Sequence, residues 1–340
     1  AGLIYEQVAS ILQENDSELR NQYAHVLPGL ETMYELFHVM LKAREKRGAI
    51  DFEMTETQFM FDENRKISSI EPRQRNDAHR LIEEFMIAAN VAAAKYLLAS
   101  KLPVLYRVHE VPSVEKLSAL REFLGELGLF LGGGDEPEPG HYASLLKTVS
   151  KRPDGHLLQT VMLRSMKQAV YSPENVGHFG LGLEAYAHFT SPIRRYPDLL
   201  VHRAIKHAIT KQKKATWHYS EEAMVQLGEH CSMASRRADE ATRDVADWLK
   251  CEYMRDRVGE VHEGVISGVT GFGLFVELSD IYIEGLVHVT ALKNDYYQFD
   301  ASGHRLMGEK SRKSYRLGDS IKVKVVRVDL DEKKIDLDLA

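Results

Sequence analysis

The spacing of apolar residues changes near residue 258, and this change divides the chain into two parts. Before it, apolar residues recur mainly every three or four positions, the spacing that places them along one face of a helix. After it, short runs alternate between apolar and polar positions and are rich in β-branched residues, as is typical of strands with one buried face. We therefore predict an α+β protein with two domains, residues 1–257 and 258–340.

The second part predicts five short strands with a longer insert before the fourth. The predicted strands are Val261–Val269, Gly273–Leu278, Tyr282–Val289, Ser320–Val328 and Lys334–Leu339. Five short strands in one small domain are typical of a closed barrel such as the OB-fold.

The first part predicts helices around a β-sheet. Predicted helices lie within 3–47, 77–100, 113–127, 142–149, 156–166 and 220–254, with another starting near Asp198. The first helical stretch ends in a basic turn before Gly48, which is typical of a helix C-terminus. Short runs at 49–52, 57–61 and 66–70 predict a small antiparallel pair, and 105–109 predicts a further strand. The residues expected to line the buried side of helix 77–100, packed against a sheet, are Leu81, Phe85, Ala88, Ala89, Ala92 and Tyr96.

Composition narrows the class of protein without revealing its function. No run approaches the roughly 20 apolar residues that a membrane helix needs, so we predict a protein with no membrane partner. Cys231 and Cys251 are the only cysteines and form no C-x-x-C pair, which favours a reducing cytoplasm. The net charge of −6 does not indicate nucleic-acid binding, so an RNA site would have to be a local basic patch.

The most informative motif lies between Tyr186 and Asp198. It places Arg194 and Arg195 immediately before a predicted helix start, where backbone N–H groups and a partial positive charge favour anions. With the hydroxyls of Thr190 and Ser191, this arrangement predicts a phosphate site. The flat side chains that could pack against a base or ribose are Tyr186, His188, Phe189 and Tyr196. The alternative is that both arginines form structural ion pairs with Asp198 or a neighbouring carboxylate.

The same run, YAHFTSPIRRYPDL at 186–199, resembles the signature of the RNB family of exoribonucleases, which contains RNase II and RNase R. Further runs resembling this family, and its RNase R members in particular, are 159–171, 177–182, 75–79 with Glu83 and Glu84, and 243–248. The resemblance implies processive 3′→5′ hydrolysis of single-stranded and structured RNA to nucleoside 5′-monophosphates, with Mg²⁺ as cofactor.

The resemblance also implies roles for individual residues. Arg194 would be catalytic and stabilise charge on the scissile phosphate. Phe52 would stack on a base, although a core position is the alternative for this ring, and Glu84, or Glu83 beside it, would contact the terminal nucleotide. The other residues that we predict to bind RNA in this part are Tyr186, His188, Ser191, Arg195 and Tyr196.

The C-terminal part resembles the S1 domain, an OB-fold that binds RNA. Its sequence GFGLFV at 271–276 is followed by EGLVH at 284–288. The resemblance implies a stacking platform for single-stranded RNA formed by Phe272, Phe275 and His288. The alternative is that either phenylalanine fills the barrel core.

The chain also departs from the family pattern. The RNB family binds Mg²⁺ through closely spaced aspartates that precede the region matched here, and the sequence shows no such cluster. Glu240, Asp244 and Asp247 share one helical face, but nearby arginines favour a solvated or ion-paired face. We therefore expect a C-terminal part of an RNB enzyme that binds RNA but is inactive alone. One alternative is a non-catalytic RNA-binding or interaction module. Another is a chain whose active site is completed by a second, separate chain. The resemblance also implies ribosome-rescue or RNA-decay factors as partners.

Overall fold

The structure, a computed structural model, describes residues 2–52, 56–73, 75–152, 154–210, 217–292, 295–301 and 303–340. Its α-helices are α1 (Tyr5–Ala9), α2 (Ser17–Gln22), α3 (Leu27–Arg47), α4 (Asp77–Ser100), α5 (Val114–Glu126), α6 (Pro139–Val149), α7 (Gly155–Ser165), α8 (Tyr196–Ile209) and α9 (Glu221–Arg255). A π-helical turn, Ser10–Glu14, follows α1 directly. Within these described residues, no helix is long and apolar enough to cross a membrane.

The strands fall into a barrel and three small sheets. They are β1 (Thr57–Phe61), β2 (Ile67–Pro72), β3 (Tyr106–Val108), β4 (Val170–Ser172), β5 (Val261–Thr270), β6 (Gly273–Leu278), β7 (Glu284–His288), β8 (Tyr297–Asp300), β9 (Arg305–Gly308), β10 (Ser314–Arg316), β11 (Ser320–Asp329) and β12 (Lys334–Leu339). The pairs β1–β2 and β3–β4 are both antiparallel. Strands β8, β9 and β10 form a separate sheet in the order β10-β9-β8.

The C-terminal strands confirm the predicted five-stranded barrel, which closes in the order β11-β12-β7-β6-β5. Alternation along β6 explains the closure, because Leu274, Val276 and Leu278 are all fully buried inside it. The insert before the fourth barrel strand is the sheet β8–β10. The domain boundary that we predict at residue 257 falls between the end of α9 and the start of β5, and it stays a prediction.

Helix ends follow local signals in the sequence. Asn76 and Ser113 accept backbone N–H groups at the starts of α4 and α5, and Ser220 does the same for α9. Gly48 ends α3 with a φ of 76°, which a residue with a side chain rarely adopts. The first predicted helical stretch, 3–47, is in fact divided among α1, the π-turn, α2 and α3.

Helix α4 has the predicted bounds but buries a different face. Ala88, Ala92 and Tyr96 are exposed, whereas its buried residues are Ala78, Leu81, Glu84, Asn90, Ala93, Ala94 and Leu97. The predicted face was wrong because α4 packs against the helices α1, α3 and α8, so neighbours distributed around it decide which side is covered.

The helical part and the barrel share one hydrophobic core. Leu120 and Leu124 of α5 belong to the same buried cluster as Val276 and Leu337 of the barrel. At this junction the rings of Phe123 and His304 meet edge to face, with centroids 4.9 Å apart. A side chain at Gly318 would come within 2.9 Å of Leu157 in α7, so the two parts are in close contact.

Candidate nucleic-acid interface

Asn90 of α4 fixes the start of the arginine-bearing loop. Its side-chain oxygen accepts the backbone N–H groups of Phe189 (2.9 Å) and Thr190 (3.2 Å). Its amide nitrogen donates to the hydroxyl of Tyr186 (2.9 Å). Because Asn90 is buried, losing it would leave these loop groups without their partner in an interior that water does not reach.

Asp198, in the first turn of α8, fixes the other end of the loop. One carboxylate oxygen accepts the Ser191 N–H (2.7 Å) and a guanidinium N–H of Arg195 (2.8 Å). Asp198 is 0 % exposed, so its charge is balanced inside the protein by Arg195. Ser191, one of the predicted RNA-binding residues, is itself buried by this arrangement.

The two adjacent arginines therefore have different surroundings. Arg195 is the ion-pair partner of Asp198, which was the alternative considered for both residues. Arg194 is exposed and has no side-chain partner among the residues that the structure describes. Arg194 is thus available to an anion, whereas Arg195 already neutralises a buried carboxylate.

Tyr196, the first residue of α8, is partly exposed beside this loop. The guanidinium of Arg203 lies 5.9 Å from the centre of its ring, a cation–π contact. Its hydroxyl also accepts a long hydrogen bond from Arg203, at 3.5 Å. One face of the ring is therefore occupied by Arg203, and RNA contact by Tyr196 stays a prediction.

Behind the loop lies a network of aromatic and imidazole rings. His188 meets Tyr171 and Tyr186 edge to face, each with centroids 5.6 Å apart, and Tyr186 meets His178 in the same way at 5.4 Å. The Tyr171 hydroxyl lies 2.9 Å from Nδ1 of His188. Tyr186 is only 7 % exposed, so little of its ring is free for a base, and the RNA-stacking roles of Tyr186 and His188 stay predictions.

The histidines of this network are neutral near pH 7. Burial lowers the pKa of His178 and of His188 to about 3, with nearby Arg107 and, for His188, Arg195 adding repulsion. Burial also lowers the pKa of His109, whose ring lies 5.1 Å from that of His178. The network therefore orients the loop through hydrogen bonds and packing, and its histidines add no positive charge.

His109 and His178 also line a cleft of about 970 Å³. Its basic lining residues are Lys116, Arg164, Lys167 and Arg236, and Glu110 is the acidic one. The carboxylate of Glu110 is paired with Lys167, so positive charge predominates in the cleft. This volume accommodates flexible polar ligands, and its charge favours anionic ones.

Phe52 lines the same cleft from the segment that follows α3. It is half-buried and packs against the hydrophobic core, as the alternative of a core position expects in part. Its stacking role stays a prediction, and the position at the wall of a basic cleft supports it.

The two candidate glutamates differ in environment. Glu84 is buried and paired with Arg44 at 2.7 Å, and Arg44 also lies 3.6 Å from Asp51, next to Phe52. Glu83 is partly exposed and paired with Arg75. Glu84 is thus linked through Arg44 to Asp51, the neighbour of Phe52, while its contact with a nucleotide stays a prediction.

The barrel carries an aromatic surface outside its core. Phe272 is 50 % exposed at the turn before β6, and Phe275 points outward because its neighbours Leu274 and Val276 point inward. The two rings meet edge to face at 5.9 Å. His288, exposed at the end of β7, is paired in register with Gly273. The alternative of a core position therefore fails for both phenylalanines; their binding of RNA stays a prediction.

Glycines let these rings approach the barrel. The Phe275 ring lies across Gly268, where an added side-chain carbon would be 3.2 Å from a ring atom. At Gly273 an added carbon would lie 2.4 Å from the Val287 carbonyl oxygen, closer than real side-chain carbons come.

The described residues do not fit the magnesium ion that the family resemblance implies. Among them, no group of three or more histidine, cysteine, aspartate or glutamate residues could hold a metal ion. Of the three carboxylates considered on α9, Asp244 is paired with Lys333 of the barrel, and Glu240 is exposed. We therefore derive no chemical step through a metal.

Some residues of this interface were not predicted from the sequence. Asn90 interrupts the apolar run of α4, and a polar residue at a buried helical position is a signal that could have identified it. Arg107, whose guanidinium lies 4.6 Å from the centre of the Tyr171 ring, comes from a strand with no distinguishing motif. Only the tertiary structure brings it to the loop.

Comparison with known proteins places these features in a family context. The model of the RNB domain matches residues 1–211, and that of the S1 RNA binding domain matches residues 255–339. Ribonuclease R of Escherichia coli strain K12 is 57 % identical over the whole chain, and Ribonuclease R of Vibrio cholerae is 56 % identical. The chain spans 43 % and 42 % of the lengths of these two relatives.

A solved structure agrees with this placement. Mycoplasma genitalium RNase R in complex with ribose methylated single-stranded RNA superposes with a TM-score of 0.90 at 28 % identity. The superposition covers 99 % of this chain and 53 % of that one. The RNB match over more than half of the sequence, followed by the S1 match at the barrel, shows that the chain belongs to the RNB ribonuclease family.

Proposed function

We propose that this chain binds the 3′ end of single-stranded RNA and forms the RNA-holding part of a processive, hydrolytic 3′→5′ exoribonuclease of the RNase R type. The observation that carries the proposal is Arg194, an exposed guanidinium without a protein partner among the described residues, on a loop fixed at both ends. A guanidinium held this way binds a phosphate without first breaking an ion pair.

The loop geometry supports a role for Arg194 beyond affinity. Asn90 and Asp198 hold the loop backbone, so binding of a phosphate by Arg194 does not require the loop backbone to become ordered. A fixed cation that meets charge developing on a phosphate stabilises the transition state more than the ground state. We propose that Arg194 acts in this way in the complete enzyme.

We propose a path for the strand along the basic and aromatic surfaces. The basic cleft with Phe52 on its wall accommodates the nucleotides nearest the 3′ end. The outward-facing rings of Phe272 and Phe275 on the barrel take up nucleotides farther from that end. Stacking on such rings tolerates every base, which is what a processive enzyme requires.

We further propose that the chain as given does not hydrolyse RNA. The described residues offer no metal site, so Mg²⁺ would be held in the complete enzyme by residues other than these. Release of mononucleotides by the purified chain on addition of Mg²⁺ alone would contradict this part of the proposal.

The test of RNA binding compares Arg194→Ala with a matched control, Arg255→Ala. Arg255 is also exposed, and its only ion pair in the described part of the chain is with the adjacent Asp256. Binding of a labelled oligouridylate to the full chain is followed by fluorescence anisotropy at several salt concentrations. Loss of one phosphate contact lowers the slope of log K against log salt by about 0.7 for a single strand. We expect this decrease for Arg194→Ala only; equal behaviour of both variants would refute the assignment.

A further inference from the structure

The sheet β8–β10 is inserted between barrel strands. One of its faces is buried except at the edge strand β8, where an aromatic ring is partly exposed. Tyr315, Leu306 and Phe299 are register neighbours across β10, β9 and β8, so their side chains lie on the same face. Leu306 and Tyr315 are buried, whereas Phe299 is 42 % exposed. This face is therefore buried at β10 and β9, whereas the phenyl ring on the edge strand β8 is partly in solvent.

Phe299 lies against the turn that carries Phe272. Its Cβ is 4.0 Å from the position that a Cβ on Gly271 would occupy, and Gly271 immediately precedes Phe272. Apart from the two chain neighbours of Gly271, no other atom of the described residues lies within 4 Å of that position. Phe299 thus approaches Gly271, and the exposed Phe272 follows that glycine directly in the chain.

The inserted sheet is anchored, which fixes the position of Phe299. Asp295, just before β8, accepts the backbone N–H groups of Lys310 (3.1 Å) and Ser311 (2.6 Å) beyond β9. The hydrogen bond from the Ser311 hydroxyl has the largest effect, and together with the backbone N–H groups it holds the pKa of Asp295 well below its usual range. Gly308 completes the anchor, because an added side chain there would lie 2.4 Å from the Asp295 carboxylate. A ring that is already fixed in position loses little conformational entropy on binding.

From these contacts we infer that Phe299 is a third stacking residue for single-stranded RNA, next to Phe272 and Phe275, so that the inserted sheet lengthens the barrel platform by one nucleotide. This inference rests on the proposed function. Phe299 is partly exposed and approaches the turn that carries Phe272, and a base stacks on any aromatic face that solvent reaches.

The test uses the full chain with Phe299→Leu and the matched control Tyr296→Ala. Leucine keeps an apolar contact with the Gly271 turn but removes the ring. Tyr296 is a suitable control because it is a strongly exposed aromatic residue directly before β8. Affinity for oligouridylates of increasing length is measured by anisotropy, and thermal unfolding verifies that each variant is folded. Removal of one base stack weakens binding about 5- to 10-fold, the lower part of the range for such substitutions.

We expect Phe299→Leu to bind long oligonucleotides about 5- to 10-fold more weakly and short ones normally, with Phe299→Tyr and Tyr296→Ala close to the wild type. If Phe272→Ala weakens binding but Phe299→Leu does not, the inference is wrong and the proposed function stands. If the wild-type chain binds no RNA at all, both are wrong. An equal loss in Phe299→Leu and Phe299→Tyr would show that packing, not stacking, is responsible and would also overturn the inference.

Discussion

Arg194 and Arg195 are adjacent, yet their replacement by alanine should have opposite consequences. Arg195→Ala leaves the buried Asp198 carboxylate with only the Ser191 N–H as a hydrogen-bond donor among the described residues. Removing one partner of a buried ion pair costs about 3–5 kcal/mol. Because Arg195 is 24 % exposed, water screens part of this penalty, and we expect the free energy of unfolding to fall by about 2–3 kcal/mol.

Arg194→Ala should leave the free energy of unfolding within about 0.5 kcal/mol of the wild type, as is usual for exposed residues without partners. Its effect should appear in RNA binding, as the lower salt slope described above. Urea unfolding followed by circular dichroism measures the stability of both variants, with the slope m verifying that the denatured state is unchanged.

A double variant tests the stated cause. Asp198→Asn removes the charge that Arg195→Ala leaves unpaired, so the combination Arg195→Ala with Asp198→Asn should be less destabilised than the sum of the single changes, by at least about 1 kcal/mol. If the two changes add, or if Arg194→Ala destabilises as much as Arg195→Ala, the division of roles between the two arginines is refuted.

Three further predictions concern the loop, the buried histidines and the barrel. Asn90→Ala should lower the free energy of unfolding by about 1–3 kcal/mol in urea, because buried loop N–H groups lose their acceptor; an unchanged unfolding midpoint would contradict this. The pKa values of His178 and His188 lie near 3 when folded, against 6.5 when unfolded. The unfolded chain therefore binds more protons below about pH 6.5. The free energy of unfolding should be highest above that pH and fall toward pH 3, less steeply in His188→Gln. Parallel urea profiles for variant and wild type between about pH 5 and 6.5 would exclude this linkage. Gly273→Ala should strongly lower the thermal midpoint because its side chain meets the Val287 carbonyl, while Gly271→Ala should not; equal midpoints would show that the barrel yields at this strand.

The sequence predicts elements well where one residue type has one physical role. The bounds of α4 and the closed five-stranded barrel were predicted correctly, because capping residues and strict alternation are local signals. The buried face of α4 was predicted wrongly. Apolar residues occur on all sides of this helix, and the packing of α1, α3 and α8 against it decides which side is covered. Local pattern cannot supply that selection.

The candidate site shows the same division. The motif at 186–198 predicts that a phosphate-binding loop exists, but not that Asp198 claims Arg195 and leaves Arg194 free. The partners from other elements, Asn90 and Arg107, are distant in sequence and carry no motif of their own.

The common core of the helical part and the barrel has a consequence for length selection. The basic cleft and the aromatic surface of the barrel belong to two parts that share one hydrophobic core, so the distance between these surfaces stays constant. A strand too short to reach from one to the other gains nothing from the second, whereas one that just reaches gains the advantage of two linked contacts. We expect affinity to rise abruptly at one oligonucleotide length instead of gradually with each added nucleotide.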